Sequence, residues 1–172
     1  MRYIFLLVTL ICISCGSDKK EEKSSEEETT TTYYLIRHAE KDRTTTNDPG
    51  LIAKGKERAI QWAAYFEEVP LDAVYSTDYN RTKETAAPTA KRKSLTVQVY
   101  NADNLYNTEF QEATKGKTIL VVGHSNTTPA LANTIVGENR FPQISDTENG
   151  MIYKVVVSEN GITTVTTEKV EM

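Results

Sequence analysis

Each of the two histidines in the sequence follows an apolar run that is typical of a buried strand. His38 comes after "TYYLIR", and His124 ends "KTILVVGH". Arg37 directly precedes His38, and Arg81 begins the segment after the next predicted strand. Two guanidinium groups and two imidazoles suit a tetrahedral oxyanion, because arginine presents a planar fork of donors to phosphate oxygens. Since a neutral imidazole is a competent nucleophile at phosphorus, these residues predict phosphoryl transfer to a histidine.

The same residues form a poor cation site, because two histidines flanked by guanidinium groups leave a metal ion without enough ligands. Both cysteines, Cys12 and Cys15, lie near the N-terminus, so the folded part has neither a disulfide nor a thiolate metal site. We therefore predict no metal and no cofactor. The net charge of −4 argues against nucleic acid as a partner.

Strands and helices alternate along the chain. Apolar, β-rich runs predict strands at 32–36, 72–76, 95–100 and 117–123, and helical spacing predicts helices at about 51–68, 78–92 and 128–137. Pro88 should interrupt or kink the second helix, and Asn160-Gly161 should close a final hairpin. This order predicts an α/β fold: a three-layer sandwich with a mostly parallel central sheet, helices on both faces and a C-terminal antiparallel hairpin at an edge.

The carboxyl ends of the strands should position the candidate residues. Open parallel sheets bind their ligands at that rim, and both histidines come at carboxyl ends of predicted strands. Arg81 opens a helix at the same rim. We expect Arg37, His38, Arg81 and His124 to converge there.

Four motifs occur in an order that resembles the histidine phosphatase superfamily, in its phosphoglycerate-mutase-like branch. They are Arg37-His38-Ala39; Leu51, Gly55 and Ala59; Ser76, Arg81, Thr85 and Ala86; and Val121-Val122-Gly123-His124. The resemblance runs from Tyr33 to about Ile135. One departure is Ile52, which replaces a usual threonine and removes a capping hydroxyl.

The resemblance implies a metal-independent phosphomonoester hydrolase that acts on a small phosphorylated substrate. His38 would be the nucleophile that becomes phosphohistidine. Arg37, Arg81 and His124 would bind the phosphoryl oxygens and stabilise charge in the transition state. Ser125 and Asn126, which follow at a helix start, would line the pocket.

The resemblance also implies a carboxylic acid that protonates the leaving oxygen. Glu109 fits the spacing from Arg81 in the mutase-like branch, and Asp103 is the rival. The segment 101–117 is too short for the long helix of many relatives, so we expect a pocket that is open on that side.

Two other functions fit the same residues. A phosphoglycerate-mutase-type phosphoryl transfer would need insertions for which this chain has no room. A catalytically inactive binding module of the same fold would not need Arg37, His38, Arg81 and His124 together.

The N-terminal residues predict export. Residues 1–15 have one basic residue, an apolar core and Cys15 after small residues, which resembles the signal of a bacterial lipoprotein lipidated on that cysteine. An ordinary secretory signal is the alternative. Residues 16–32 lack large apolar side chains and predict an acidic, disordered tether, so the domain would span 33–172. The expected location is the bacterial cell envelope, with the membrane contacted through the lipid alone.

Overall fold

The computed structural model describes residues 29–104 and 106–171. Its strands are β1 (Thr30–Arg37), β2 (Ala73–Thr77), β3 (Val97–Tyr100), β4 (Thr118–Gly123), β5 (Met151–Ser158) and β6 (Thr163–Lys169). They form one sheet in the order β3-β2-β4-β1-β5-β6. The first four strands are parallel to one another, and β5 and β6 are antiparallel additions at one side. The predicted α/β fold is confirmed.

The helices are α1 (Ala53–Tyr65), α2 (Asn80–Arg92), α3 (Thr108–Thr114) and α4 (Thr127–Val136), with a 3-10 turn at Ala102–Asn104. No side chain caps α1 at Ile52, as the missing hydroxyl predicted. α2 continues through Pro88, so of the predicted interruption or kink the interruption is absent. The short α3 was not predicted from the sequence.

Alternating residues of the central strands separate two cores. Tyr33 and Leu35 of β1 are buried on the face that also holds Phe110 of α3 and Leu131 of α4. The neighbouring residues of β1 turn to the opposite face, where Trp62 of α1 is fully buried. β4 alternates in the same way, so its apolar run is covered on both faces, as parallel strands require.

The domain begins slightly earlier than the sequence suggested. β1 starts at Thr30, and the Thr31 hydroxyl accepts a hydrogen bond from the Gly116 amide at 2.9 Å. The last residues of the predicted tether, 16–32, are therefore part of the sheet.

The predicted signal peptide, residues 1–15, lies outside the described residues. In the part of the chain that the structure describes, none of the helices has the length and apolar character needed to cross a membrane.

The register of the sheet brings three strand ends to one rim. Arg37 pairs with Gly123 across β1 and β4, and Ser76 pairs with Val122 across β2 and β4. The residues that follow these pairs are His38, His124 and Thr77. Adjacent strands therefore hold the residues of this rim, and α2 and α4 begin just beyond them.

Candidate active site

The four residues singled out in the sequence line one cavity of about 750 Å³ at this rim, which we call the histidine cavity. The imidazole rings of His38 and His124 meet edge to face, with centroids 5.5 Å apart. Arg37 and Arg81 lie beside them, and Ser125 and Asn126 also line the cavity. The structure thus brings together all the residues expected there except one, Glu109.

The backbone around His38 determines which ring nitrogen is free. Nδ1 of His38 lies 2.7 Å from the carbonyl oxygen of Ala39. A carbonyl can only accept, so Nδ1 carries the proton and Nε2 keeps its lone pair. Asn149 donates to the His38 carbonyl at 2.9 Å, and the Ala39 amide donates to the Thr85 hydroxyl at 2.9 Å. The ring of this 3% exposed residue is therefore held with one defined nucleophilic atom.

Both histidines are neutral at physiological pH. Burial lowers the pKa of His38 to about 3, against the hydrogen bond to Ala39, and the charges of Arg37 and Arg81 also lower it. Burial is likewise the main cause that lowers the pKa of His124 to about 4, followed by the same two arginines. A neutral His38 is the state that can attack phosphorus.

His124 is held by a chain of hydroxyl groups. Its Nε2 lies 2.9 Å from the Thr77 hydroxyl, which donates to the Thr82 hydroxyl at 3.0 Å. Thr82 in turn donates to the carbonyls of Thr77 and Tyr79, each at 2.9 Å. The other ring nitrogen of His124, Nδ1, lies 3.4 Å from Nη2 of Arg81.

Arg37 is oriented by the loop before β5. Its Nη1 donates to the carbonyls of Ser145 at 2.6 Å and Glu148 at 2.9 Å, and its Nη2 bonds to Asp146 at 3.1 Å. Its Nε is buried without a hydrogen-bond partner among the described residues. An unpaired buried donor is costly, and an oxyanion is the partner that a cationic donor prefers.

Arg81 is positioned at the start of α2. Its Nη1 lies 3.6 Å from Asp48, and its Cζ lies 4.4 Å from the centre of the Tyr79 ring. Asp48 also accepts from the Asn80 amide at 3.0 Å, so it fixes the helix start and the guanidinium together. The Nε of Arg81 is buried and unpaired among the described residues, as in Arg37.

Glu40 follows the nucleophile closely in sequence but is committed to another contact. Its carboxylate receives two hydrogen bonds from Arg58, at 2.9 and 2.8 Å. Gly55 packs directly on the Glu40 backbone, where a Cβ would collide with the carbonyl oxygen. The glycine of the α1 motif is therefore needed for close packing against the loop that carries His38.

The two candidate acids are separated by the structure. Asp103, in the 3-10 turn, lines the histidine cavity. Glu109, in the first turn of α3, lines a different cavity beside Tyr75 and Phe110. The spacing from Arg81 that favoured Glu109 is a number of residues. It cannot show that the 3-10 turn and α3 place Glu109 at a different cavity. Of these two carboxylates, Asp103 is therefore the one at the histidine cavity.

Several residues of the site were not found from the sequence. Thr77 is the last residue of β2 and Tyr79 lies two residues beyond it, and this position at a strand end was a signal that could have found them. Asp48 lies outside the four motifs of the sequence. Asp146 and Asn149 belong to a loop without any recognisable motif, and nothing in the sequence placed that loop over Arg37 and His38.

Among residues 29–104 and 106–171, no group of three or more His, Cys, Asp or Glu side chains is placed to hold a metal ion. Independence from metals and cofactors stays a prediction, which a chelator can test.

The chain resembles a known family over part of its length. The histidine phosphatase superfamily (branch 1) model matches residues 33–110, which include Arg37, His38 and Arg81. The architecture is the histidine phosphatase fold, with β4 and His124 contributed by residues beyond that match. No curated protein sequence is significantly similar to the chain.

Particular solved structures share this fold at low sequence identity. A mycobacterial glucosyl-3-phosphoglycerate phosphatase has a TM-score of 0.67 and 12% identity, covering 83% of this chain and 100% of its own. The protein histidine phosphatase SixA, solved with tungstate, has a TM-score of 0.66 and 16% identity, covering 80% and 96%. A phosphoglycerate mutase from Bacillus anthracis has a TM-score of 0.62 and 17% identity, covering 84% and 94%.

Proposed function

We propose that the protein is a phosphomonoester hydrolase that works through a phosphohistidine on Nε2 of His38. The observation that carries this proposal is the hydrogen bond from His38 Nδ1 to Ala39, since it leaves Nε2 as the free nucleophile. This nitrogen belongs to a neutral ring in a cavity lined by Arg37, Arg81 and His124. Two cations and a second imidazole beside the nucleophile are the groups that a transferring phosphoryl group requires.

In the first half of the reaction, Nε2 of His38 attacks phosphorus and the bond from phosphorus to the ester oxygen breaks. Asp103 gives its proton to that oxygen, so the alcohol leaves neutral. Arg37 and Arg81 stabilise the charge on the three equatorial oxygens. The products are a free alcohol and a phosphoryl group on His38.

In the second half, water attacks the phosphohistidine. The Asp103 carboxylate takes a proton from this water, the phosphorus–nitrogen bond breaks, and its electron pair returns to Nε2 of His38. Inorganic phosphate leaves, and the site regains its starting protonation. The displacement is thereby divided into two easier steps.

The comparisons support a phosphatase over the two alternatives. Two of the similar structures are phosphatases, and the mycobacterial one was also solved with VO3, an oxyanion like the tungstate of SixA. Mutase chemistry is less well supported. In the described part of the segment between β3 and β4, the only regular elements are the 3-10 turn and the seven-residue α3. They form no insertion that could hold a phosphoglycerate for reorientation. An inactive binding module would have no need for the precise hydrogen bonding of His38.

The test is hydrolysis of 4-nitrophenyl phosphate by the purified full chain in the presence of EDTA. Rapid acid or base quenching with a labelled substrate should trap phosphate that is labile in acid and stable in base, as a phosphoramidate is. His38→Ala should abolish both signals. Activity that survives in His38→Ala, or that disappears with EDTA and returns with a metal, would overturn the proposal.

We also propose that the protein is anchored to the bacterial cell envelope through a lipid on Cys15. The support is the sequence pattern of residues 1–15, which lie outside the described residues. Anchoring at the N-terminus would leave the rim with His38 and His124 free to meet a small phosphorylated substrate.

A further inference from the structure

Lys41 differs from the other cations near the site. Arg37 and Arg43 both pair with Asp146, and Arg58 pairs with Glu40. Lys41 forms neither an ion pair nor a side-chain hydrogen bond with any residue in the described part of the chain. Lys41 is only partly exposed, and its ammonium group has no anionic partner among the described residues.

Lys41 also lies between two cavities. It lines the histidine cavity and a second cavity of about 310 Å³, which we call the side cavity and which Arg43, Thr44 and Asn149 also line. A β-bridge between Lys41 and Leu51 holds the Lys41 backbone in place. After burial and the two arginines, the charge of Lys41 also contributes to lowering the pKa of His124.

The transferred phosphoryl group does not need this lysine. Arg37, Arg81 and His124 line the same cavity as His38 and can supply its oxyanion donors. The carboxylates nearest to Lys41 in sequence are also engaged: Glu40 with Arg58, and Asp42 with the hydroxyls of Thr44 and Thr45. Neither carboxylate therefore serves as the partner of Lys41.

We infer that Lys41 binds a second anionic group of the substrate, a carboxylate or a second phosphate, between the histidine cavity and the side cavity. This inference rests on the proposed function and adds a substrate class to it: small phosphate monoesters that carry another negative charge a few bonds away. A lysine suits this task, because its ammonium is a compact point charge that accepts anions of different shape.

The test compares four phosphate esters on the same three-carbon chain: propyl phosphate, 3-(phosphonooxy)propanoate, propane-1,3-diyl bisphosphate and 3-aminopropyl phosphate. The wild-type protein should prefer an anionic ester over propyl phosphate by roughly tenfold in kcat/KM, the size expected for one partly buried charge pair. The carboxylate and bisphosphate arms show which anion is favoured. Raising the ionic strength should reduce the preference.

Variants at Lys41 make the test decisive. Lys41→Met should erase the preference while leaving propyl phosphate turnover nearly unchanged, and Lys41→Glu should shift it to 3-aminopropyl phosphate. Lys56→Met, which removes an exposed lysine of α1, is the matched control and should keep the wild-type pattern. An equal loss on all four esters would overturn the inference, because Lys41 would then serve the transferred phosphoryl group. Equal wild-type rates on all four would overturn it as well.

A binding measurement separates this inference from the proposed function. Propylphosphonate and 3-phosphonopropionate cannot be hydrolysed at the phosphorus–carbon bond, so calorimetry on the wild-type chain reports affinity without turnover. Tighter binding of 3-phosphonopropionate that Lys41→Met removes supports the role of Lys41. If such binding occurs while no ester is hydrolysed, the hydrolase proposal fails and the anion site remains.

Discussion

The hydroxyl of Thr77 lies 2.9 Å from Nε2 of His124, so the last residue of β2 holds the ring that follows β4. Because Thr77 donates its own proton to Thr82, its oxygen accepts from His124, and a neutral His124 carries its proton on Nε2. Nδ1 of His124 is then unprotonated beside Arg81. His124 can donate to a bound oxyanion through Nδ1 only after that atom gains a proton.

This relationship predicts proton uptake when an oxyanion binds. Calorimetry of tungstate binding near neutral pH, in buffers of different ionisation enthalpy, should show about one proton taken up by the wild-type chain, since an adjacent anion favours the charged imidazole. Thr77→Val should reduce the uptake and lower kcat roughly tenfold, the loss of one hydrogen bond. Thr89→Val is the control, because the Thr89 hydroxyl is buried without a partner among the described residues. Unchanged uptake in Thr77→Val would show that Thr77 only packs against the ring.

Arg81→Lys should lower kcat about a hundredfold, because the loss of one oriented donor to the transition state is worth about 3 kcal/mol. A lysine keeps the charge but not the planar fork of donors, and it cannot bond Asp48 and His124 together. Steady-state kinetics on 4-nitrophenyl phosphate measures the effect. Arg92→Lys, at the other end of α2, is the matched control and should be near normal. Near-normal turnover in Arg81→Lys would mean that this arginine is structural.

Asp103→Asn should reduce hydrolysis of alkyl phosphates far more than hydrolysis of 4-nitrophenyl phosphate. An alkoxide must be protonated as it leaves, whereas a nitrophenolate is stable without a proton. The ratio of the rate constants for the two esters, compared between each variant and the wild type, gives the loss of transition-state stabilisation. Glu109→Gln is the control, since Glu109 lines a different cavity. A selective loss in Glu109→Gln instead would restore the assignment that the sequence spacing favoured.

The buried neutral state of His38 should make the protein less stable in mild acid. Its folded pKa of about 3 lies below its ordinary value of 6.5, so the unfolded chain binds more protons between these values. Stability is therefore complete above pH 6.5 and falls as the pH drops towards 3. Between about pH 7.5 and pH 5 the loss from His38 alone is about 2 kcal/mol. Urea unfolding of the wild type and His38→Gln at both pH values tests this; an equal pH dependence in the two proteins would contradict it.

Cys15→Ser should move the protein out of the membrane fraction or leave it unprocessed. The thiol is the atom that would carry the lipid, and a single serine hydroxyl cannot replace it in that reaction. Fractionation of cells with mass spectrometry of the N-terminus checks the outcome. Cys12→Ser should remain in the membrane fraction. A soluble wild-type protein whose N-terminus is not residue 15 would indicate an ordinary secretory signal.

The elements with a clear apolar pattern could be predicted from the sequence. β1 and β4 are short, continuous apolar runs of the kind typical of buried strands, and α1 has an apolar stripe around Trp62. Because His38 and His124 follow these elements directly, their convergence could be predicted along with the fold. The short α3 could not be predicted, since seven residues with Phe110 as the main apolar side chain show no measurable period.

The supporting contacts of the site were harder to predict for a different reason. Arg37 is held mainly by backbone carbonyls of Ser145 and Glu148, and a carbonyl leaves no mark in the sequence. Asp48 reaches Arg81 only because the loop before α1 folds onto the start of α2. Glu109 was favoured by a residue count along a segment whose path depends on tertiary packing.

β4 lies between β1 and β2 in the sheet, although it is synthesised after both. Until Thr118–Gly123 has left the ribosome, β1 has no strand to pair with, because its other neighbour is the still later β5. The pairing of distant segments makes this a slow, late-folding topology in which the two histidines meet only when the central strand is inserted. A nascent or truncated chain that ends at residue 110 would contain the β2–β3 pair, an unpaired β1 and no assembled site. The strand that completes the sheet is therefore also the strand that brings the two histidines together.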